Sequence, residues 1–438
     1  MSTAAGATWR NWGGNVVAHP AVVTDVATVD GVIGAVRSAA SRGLRLRVAG
    51  TGHSFTPLVA TDGVLLRIDG LRGVLHVDRE RMRVRVAAGT PLHQLNPALQ
   101  ALGLALPNLG DIDRQTISGA VATGTHGTGV RLQGIAAAVC GLTLVTADGS
   151  VLRCAADESP DVFEAARVGL GALGVVVEVE LQCVPAFRLH ARESGEAFSD
   201  VLGRIHDLAD AHDHVDMHWF PHTDRVLLKR NDRVGPGEGP GPLPAWRARL
   251  DDDLLANRLF EGVNRVLTRA PGATKRVNRL SANVLGAREF ADDSWKVFCS
   301  SREVRFVESE YAVPRASVVP VLDELRAWFD RTGAPVPFPV EVRFVGADDI
   351  WLSTAYEREN AYVAVHQYHR MDPSRLFAAF EAIVAEHEGR PHWGKVHTLG
   401  ADRLQQLYPR FDDYRAVRDR LDPGRLFTNA HVARLLDR

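Results

Sequence analysis

Four cysteines in 438 residues, with no CxxC pair among them, exclude a disulfide framework and a cysteine-built zinc site. Cys140, Cys154, Cys183 and Cys299 are scattered and read as free thiols of a reducing cytoplasm. No apolar run approaches the ~18 to 20 residues of a membrane span. The polar stretch Met1–Asn15 reads as neither signal peptide nor anchor. Charge of one sign is missing too. Lys and Arg total 51 against 53 Asp and Glu, so a net charge of -2 offers no basic footprint for nucleic acid. There is no GxxxxGK[ST] phosphate loop, no ribose-binding acid at Rossmann spacing and no metal-ligand cluster at a recognised spacing. What is there is an ordinary globular balance, 45% hydrophobic and 24% charged, in a chain long enough for two cores.

Short strands and helices alternate over the first ~185 residues. Val32–Arg42 has apolar residues at helical spacing, and Leu44–Val48, Val64–Ile68, Val74–Val77 and Val84–Val86 read as strands. Pro91–Leu102 reads as a helix with Thr90 as its N-cap and Gly103 as its stop. Asp148-Gly149 predicts a hairpin between Leu142–Thr146 and Val151–Cys154, and Val175–Leu181 is a further strand. From about Ala186 the pattern changes. Arg233–Pro244 is too rich in Gly and Pro for regular structure. Strands are expected at Pro337–Phe344 and Tyr362–Tyr368, and an amphipathic helix at Arg375–His387.

Chemistry concentrates in four places. Val48, Ala49, Gly50, Thr51, Gly52, His53 and Ser54 follow a strand directly, and two glycines there let backbone N–H groups approach a diphosphate. Ser118–Gly129 interleaves glycines with hydroxyls, so it suits close contact with a flat or charged ligand better than core packing. Glu341 and Arg343 lie two apart on an expected strand and so face one side, as an ion pair or as two contacts to one polar substrate. Lys395 lies two residues after Trp393 in the loop Pro391–Lys395. Each of these, taken singly, also fits an ordinary turn, linker or surface charge.

Together and in order they resemble the aldonolactone oxidase group of vanillyl-alcohol-oxidase-like flavoproteins, with alditol oxidases further off. The resemblance runs from Asn11-Trp12 through Gly50–Phe55, Thr61–Gly63, Leu106–Gly110, Ala122–Gly129 and Leu170–Gly174. It continues through Glu341–Arg343 and Arg390–Lys395 to Leu421–Pro423 and Phe427–Asn429. It implies a two-domain α+β fold. An FAD-binding domain would span 1–185 with a returning tail at about 396–438, and a cap domain with an antiparallel sheet would span 186–395.

The same resemblance implies FAD as cofactor, bonded through His53, with no second link because no Cys falls between Asn108 and Gly129. Val48–Ser54, Thr116, Gly119, Thr123, Gly124, Thr125 and His126 would surround the diphosphate, and Val175 would lie near the adenine. Glu341, Arg343 and Lys395 would be the catalytic set, with Asp111 and His366 binding substrate. Asp111 stands where alditol oxidases have Ser, which favours a sugar lactone over a polyol. Gly110 would leave room for O2 at the flavin edge, making the enzyme an oxidase that yields hydrogen peroxide; another electron acceptor is the alternative. For Lys395 to act as a base, its pKa would have to be lowered by burial or by a nearby cation, which Arg343 could provide.

Overall fold

The computed structural model describes residues 2–4, 7–235, 237–244, 257–283, 286–300 and 302–437. Near the amino terminus Val29–Ser41 is helical because the Thr28 side chain accepts from Gly31 N–H and Val32, Ala35, Val36 and Ala39 share a buried face. The helix joins Val22–Asp25 to Leu46–Ala49, and both strands run parallel to Val64–Arg67 between them. Ser2–Ala4 completes a four-stranded sheet at its edge. The strand expected at Leu44–Val48 starts two residues later, where Leu46 N–H finds the carbonyl of Leu426.

A second, antiparallel sheet of five strands has the order Val151–Ala155, Val139–Val145, Val175–Gln182, Arg83–Ala87 and Val74–Asp78. Its first two strands are the expected Asp-Gly hairpin. The helix after it spans Leu92–Ala101, and its cap is Pro91 rather than Thr90. The Thr90 hydroxyl is already engaged, donating to Ala87 and accepting from Gly73 N–H, so it cannot cap.

The third sheet has eight antiparallel strands, in the order Arg288–Asp293, Arg188–Ala197, Arg225–Val234, His214–Trp219, Val340–Val345, Asn360–Tyr368, Phe306–Pro314 and Arg390–Pro391. Strand periodicity sorts its side chains. Val340, Val342, Phe344, Val363, Val365, Val307 and Val313 enter one core with Val321, Leu325 and Phe329 of the helix Val318–Thr332 and with Phe377 and Phe380 of Ser374–Ala385. The alternate positions, Glu308, Glu310, Glu341, Arg343 and His366, therefore fall on the other face. Of the Gly- and Pro-rich stretch, Arg233 and Val234 extend a strand, and the described residues beyond them form no regular element.

The carboxy-terminal helices Ala401–Leu407, Phe411–Leu421 and Ala430–Leu436 pack back into the core built by the second sheet, which Ile350, Trp351, Leu352 and Trp393 also join. Two buried side chains tie this tail down. Arg47 donates to the carbonyls of Leu58, Leu170, Gly171 and Phe427, and Asn429 donates to those of Pro57, Leu58 and Ala60. No helix among the described residues is long and apolar enough to cross a membrane.

Candidate active site

Two adjoining clefts meet where the first strand-loop faces the eight-stranded sheet. The first is lined by Val48, Gly50–Ser54, Thr116, Gly119, Thr123, Leu170, Gly171, Gly174 and Val176. The second adjoins it, and the two share His53, Ser54, Gln115 and Thr123. Together they form one elongated cavity.

The first cleft offers the donors a diphosphate needs. The backbone N–H groups of Thr51, Gly52, His53 and Ser54 have no acceptor among the described residues. Gly52 holds a positive φ of 74°, which turns the loop tightly enough to bring them together. Unpaired backbone donors inside a cleft are costly unless an anion or water meets them. This donor set fits the dinucleotide of FAD. Ser118, Gly119, Val121 and Ala122 of the helix Ile117–Ala122 also line this cleft, and that helix's own first donors are engaged by Thr90, Ala88 and the Thr116 side chain. Not every residue anticipated here reaches the cavity. Ala49 and Val175 are in the core, leaving Gly50, Gly174 and Val176 as the lining, and Gly124 lines neither cleft. Thr125, His126 and Gly110 line the second cleft rather than the first.

His53 stands at the junction. It stacks on Trp12 with ring centroids 5.6 Å apart. Burial, then the Lys395 and Arg114 charges, pull its pKa down to about 4, so its ring is neutral at physiological pH. The loop is pinned to the one bearing Lys395, because Phe55 N–H donates to Gly394 and Thr56 to the Trp393 carbonyl. Arg390 anchors that second loop by donating to the carbonyls of Thr354, Tyr356 and Leu407. Gly127 is required nearby, since a Cβ there would lie 2.2 Å from the Leu109 carbonyl.

The second cleft is a lattice of buried and half-buried opposite charges. Arg343 bonds Glu341 directly and lies 3.6 Å from Asp111 and 3.7 Å from Asp216. Asp111 also pairs with Arg302 at 2.6 Å. Lys395 pairs with Glu308 at 2.5 Å, and His366 Nε2 lies 3.5 Å from Glu308 and 3.9 Å from Glu341. Glu310 faces His126 at 3.3 Å. The alternation of Glu341 and Arg343 thus produces a buried ion pair, not a surface one.

These contacts set the protonation states. Burial alone would favour the neutral forms. For Glu341 the charges of Arg343, His218 and Arg302 outweigh it and hold the carboxyl well below its usual range. For Arg343 the surrounding carboxylates do the reverse. Burial lowers Lys395, but Glu308 and Glu310 more than offset that and leave its pKa raised. A neutral Lys395, lowered by burial or by Arg343, is therefore not what the structure holds, because the nearest charge to its ammonium is a carboxylate.

Glu308, Glu310 and Arg302 were not anticipated. Val307-Glu308-Ser309-Glu310 carries the same strand alternation as Glu341-Val342-Arg343, and that signal was available. Arg302 sits in a loop with no pattern to mark it. His392, inside a quoted motif, forms with His126 and Glu310 a group close enough to hold a metal ion, as do Asp216, His218 and Glu341. His392 Nδ1, however, accepts from Gly394 N–H, so its other nitrogen carries the proton in the neutral ring.

A donor-lined dinucleotide cleft running into a charged cavity beneath an antiparallel cap defines a two-domain α+β flavoprotein of vanillyl-alcohol-oxidase-like fold. Comparison with known proteins agrees. Residues 20–155 match the FAD binding domain family and residues 179–435 the D-arabinono-1,4-lactone oxidase family. The chain is 41% identical to L-gulono-1,4-lactone dehydrogenase of Mycobacterium tuberculosis, covering 98% of this chain and 99% of that one. It is 33% identical to L-gulonolactone oxidase of Bos taurus (98% of each) and 32% identical to alditol oxidase of a Streptomyces species (100% of each). The fold matches crystalline cholesterol oxidase of B. sterolicum with a TM-score of 0.84 at 17% identity, over 99% of this chain and 97% of that one. The chain belongs to the D-arabinono-1,4-lactone oxidase family and is an FAD-dependent oxidoreductase.

Proposed function

We propose that this enzyme oxidises a CH–OH group of an aldono-1,4-lactone of the L-gulono or D-arabinono type. The observation that carries the reading is the buried set Glu341–Arg343–Asp111 and Lys395–Glu308 at the His53 end of the dinucleotide cleft. Interleaved cations and carboxylates offer donors and acceptors to neighbouring hydroxyls, and at 41% and 33% identity the relatives are named for lactones. In this reading the FAD domain is 1–185 with the tail 396–438, the cap is 186–395, and the free thiols fit a reducing cytoplasm.

FAD, which the backbone donors of Thr51–Ser54 would hold, would supply the two-electron acceptor for the substrate carbon. Arg343 and Lys395 hold the reacting oxygen and meet the negative charge that grows on it. Lys395 receives the hydroxyl proton as one of its own passes to Glu308, 2.5 Å away. Glu341 fixes the Arg343 guanidinium, and Asp111 and His366 bind further hydroxyls. Trp12, Phe55 and Phe306, in mutual ring contact, form the apolar wall that limits water.

Gly110 lines the cleft without a side chain, and we assign O2 as the acceptor, with hydrogen peroxide as product. The dehydrogenase relative favours a second reading, an artificial or protein acceptor in place of O2. Steady-state turnover on a panel of aldonolactones and alditols tests both points. Lactones should support oxygen uptake matched by peroxide. Rapid reduction of a dye acceptor with no oxygen consumed would move the enzyme to the second reading, and turnover of alditols alone would remove the substrate assignment.

We further assign His53 as the point of covalent flavin attachment, supported by its neutral ring at the junction of the clefts. Acid-precipitated protein should stay yellow, and His53→Ala should release its flavin on precipitation while still binding FAD through the backbone donors of Thr51–Ser54. Complete release from the unmodified enzyme would rule the bond out.

A further inference from the structure

One row of charges crosses five strands of the eight-stranded sheet. In register, Arg288 faces Glu193, Glu193 faces Lys229, Lys229 faces Asp216 and Asp216 faces Arg343. Signs alternate along the row, which suits side chains directly opposite one another. The two ends are closed. Arg288 grips Glu193 through both oxygens at 2.7 and 2.9 Å, and Arg343 lies 3.7 Å from Asp216. The middle is open. The Lys229 ammonium makes no ion pair or hydrogen bond among the described residues, although its charge reaches both Glu193 and Asp216. Asp216 Oδ1 is buried without a hydrogen-bond partner, and His218 Nδ1 stops 3.7 Å from it. Burial accordingly pushes the Asp216 carboxyl above its usual range. The Asn231 amide, two residues on from Lys229 and on the same face, is unbonded as well.

These unmet groups line a chamber beside the catalytic cavity. Asp111, Ser300 and Arg343 line both spaces, so a lactone lying against Arg343 and Asp111 has the chamber directly behind those side chains. The chamber's lining holds four carboxylates and four cations, so it offers no net charge to an ionic ligand. Lys296, another of those cations, is taken by Asp292 and Asp293. A phosphate bound by Lys229 would also meet Asp216 and Glu193. Phe290 and Phe298 add apolar surface. Unpaired donors and acceptors, apolar ring faces and balanced charge suit a neutral ligand rich in hydroxyls.

We propose that this chamber binds a second sugar residue carried by the lactone, with Lys229 and Asn231 donating to its hydroxyls and Asp216 Oδ1 accepting from one. The substrate class is then a glycosylated aldonolactone. Asp111 is the side chain that admits the link between the two rings. It sits on an irregular loop and leans towards Arg302 at 2.6 Å, and widening its 3.6 Å approach to Arg343 opens the passage. Lys229 and Asn231 line neither the catalytic cavity nor the dinucleotide cleft, so they act on the choice of substrate and not on the chemical step. The assignment rests on lactone oxidation as the reaction of the adjoining cavity.

Steady-state turnover by the FAD-loaded full-length enzyme tests this, with L-gulono-1,4-lactone and its two monoglucosides, glucose standing on either hydroxyl outside the lactone ring. One monoglucoside should show kcat/KM on the order of tenfold above the free lactone, through a lower KM, because hydrogen bonds in the chamber are added to unchanged chemistry. Lys229→Met/Asn231→Ala should remove that advantage while keeping kcat/KM for the free lactone within about twofold, since neither side chain meets the smaller substrate. Unchanged flavin content and free-lactone turnover show that the variant folds. The proposal is overturned if neither monoglucoside is favoured over the free lactone, or if the variant slows free lactone and monoglucoside alike. Turnover of the free lactone alone would leave the chamber as solvent space. No turnover of any of the three sugars would remove lactone oxidation itself, and this proposal with it.

Discussion

Lys395→Met is expected to lower kcat for lactone oxidation by about 10² to 10³ while moving KM little. Methionine preserves the length and apolar stem of the side chain but removes its charge and its protons. The ammonium lies at the wall of the cavity, 2.5 Å from Glu308 and 5.3 Å from the Phe55 ring centroid, on the loop bonded to the one that bears His53. Its service is to the charge that develops on oxygen, so its loss falls on the transition state more than on substrate binding. Glu308→Gln should also lower kcat, because the proton then has no carboxylate to reach. Stopped-flow measurement of flavin reduction across a range of lactone concentrations separates the two constants. A variant with unchanged kcat and a raised KM would make Lys395 a binding residue only.

Arg343→Ala is expected to damage stability as well as turnover. The guanidinium faces Glu341, Asp111 and Asp216, and its removal leaves buried carboxylates with too little compensating charge. Breaking such a pair from one side costs about 3 to 5 kcal/mol. Removing both members of the Arg343–Glu341 pair costs less, since Glu341 is then not left charged and alone, and Asp111 and Asp216 keep Arg302 and His218 beside them. Arg343→Met/Glu341→Gln should therefore melt above Arg343→Ala, although both should turn over lactone at least about 10²-fold more slowly than the unmodified enzyme. Thermal unfolding of the three proteins, each with its flavin, checks this. Equal melting temperatures for the two variants would show that Arg343 does not compensate the carboxylates around it.

Much of this site was legible before its geometry was known, for identifiable reasons. Loops that bind through backbone donors must be glycine-rich and continuous, so Gly50–Ser54 is visible as a string of residues. Glu341 and Arg343 are visible because a strand places alternate residues on one face. Partners brought together across the sheet are harder to see. Glu308 and Lys395 are far apart in the chain and meet only because Phe306–Pro314 lies between Asn360–Tyr368 and Arg390–Pro391. The expectation for Lys395 failed on that point. Its pKa depends on its nearest neighbour, and Arg343, the cation anticipated from sequence, is not that neighbour. Arg302 reaches Asp111 from an irregular loop and leaves no periodic trace.

The fold shows the same division. Local signals placed the Asp148-Gly149 hairpin and, at Val32–Arg42, most of the helix Val29–Ser41, because turn chemistry and apolar spacing are short-range. The cap of Leu92–Ala101 was misplaced because Thr90 is committed to Gly73 and Ala87 through contacts outside the helix.

Anaerobic addition of L-gulono-1,4-lactone to the oxidised holoenzyme tests the central claim most directly. The account predicts that the flavin bleaches in a single turnover at a rate no slower than kcat, and faster than with xylitol at the same concentration. A flavin that stays oxidised with L-gulono-1,4-lactone and every other aldonolactone tried would contradict it.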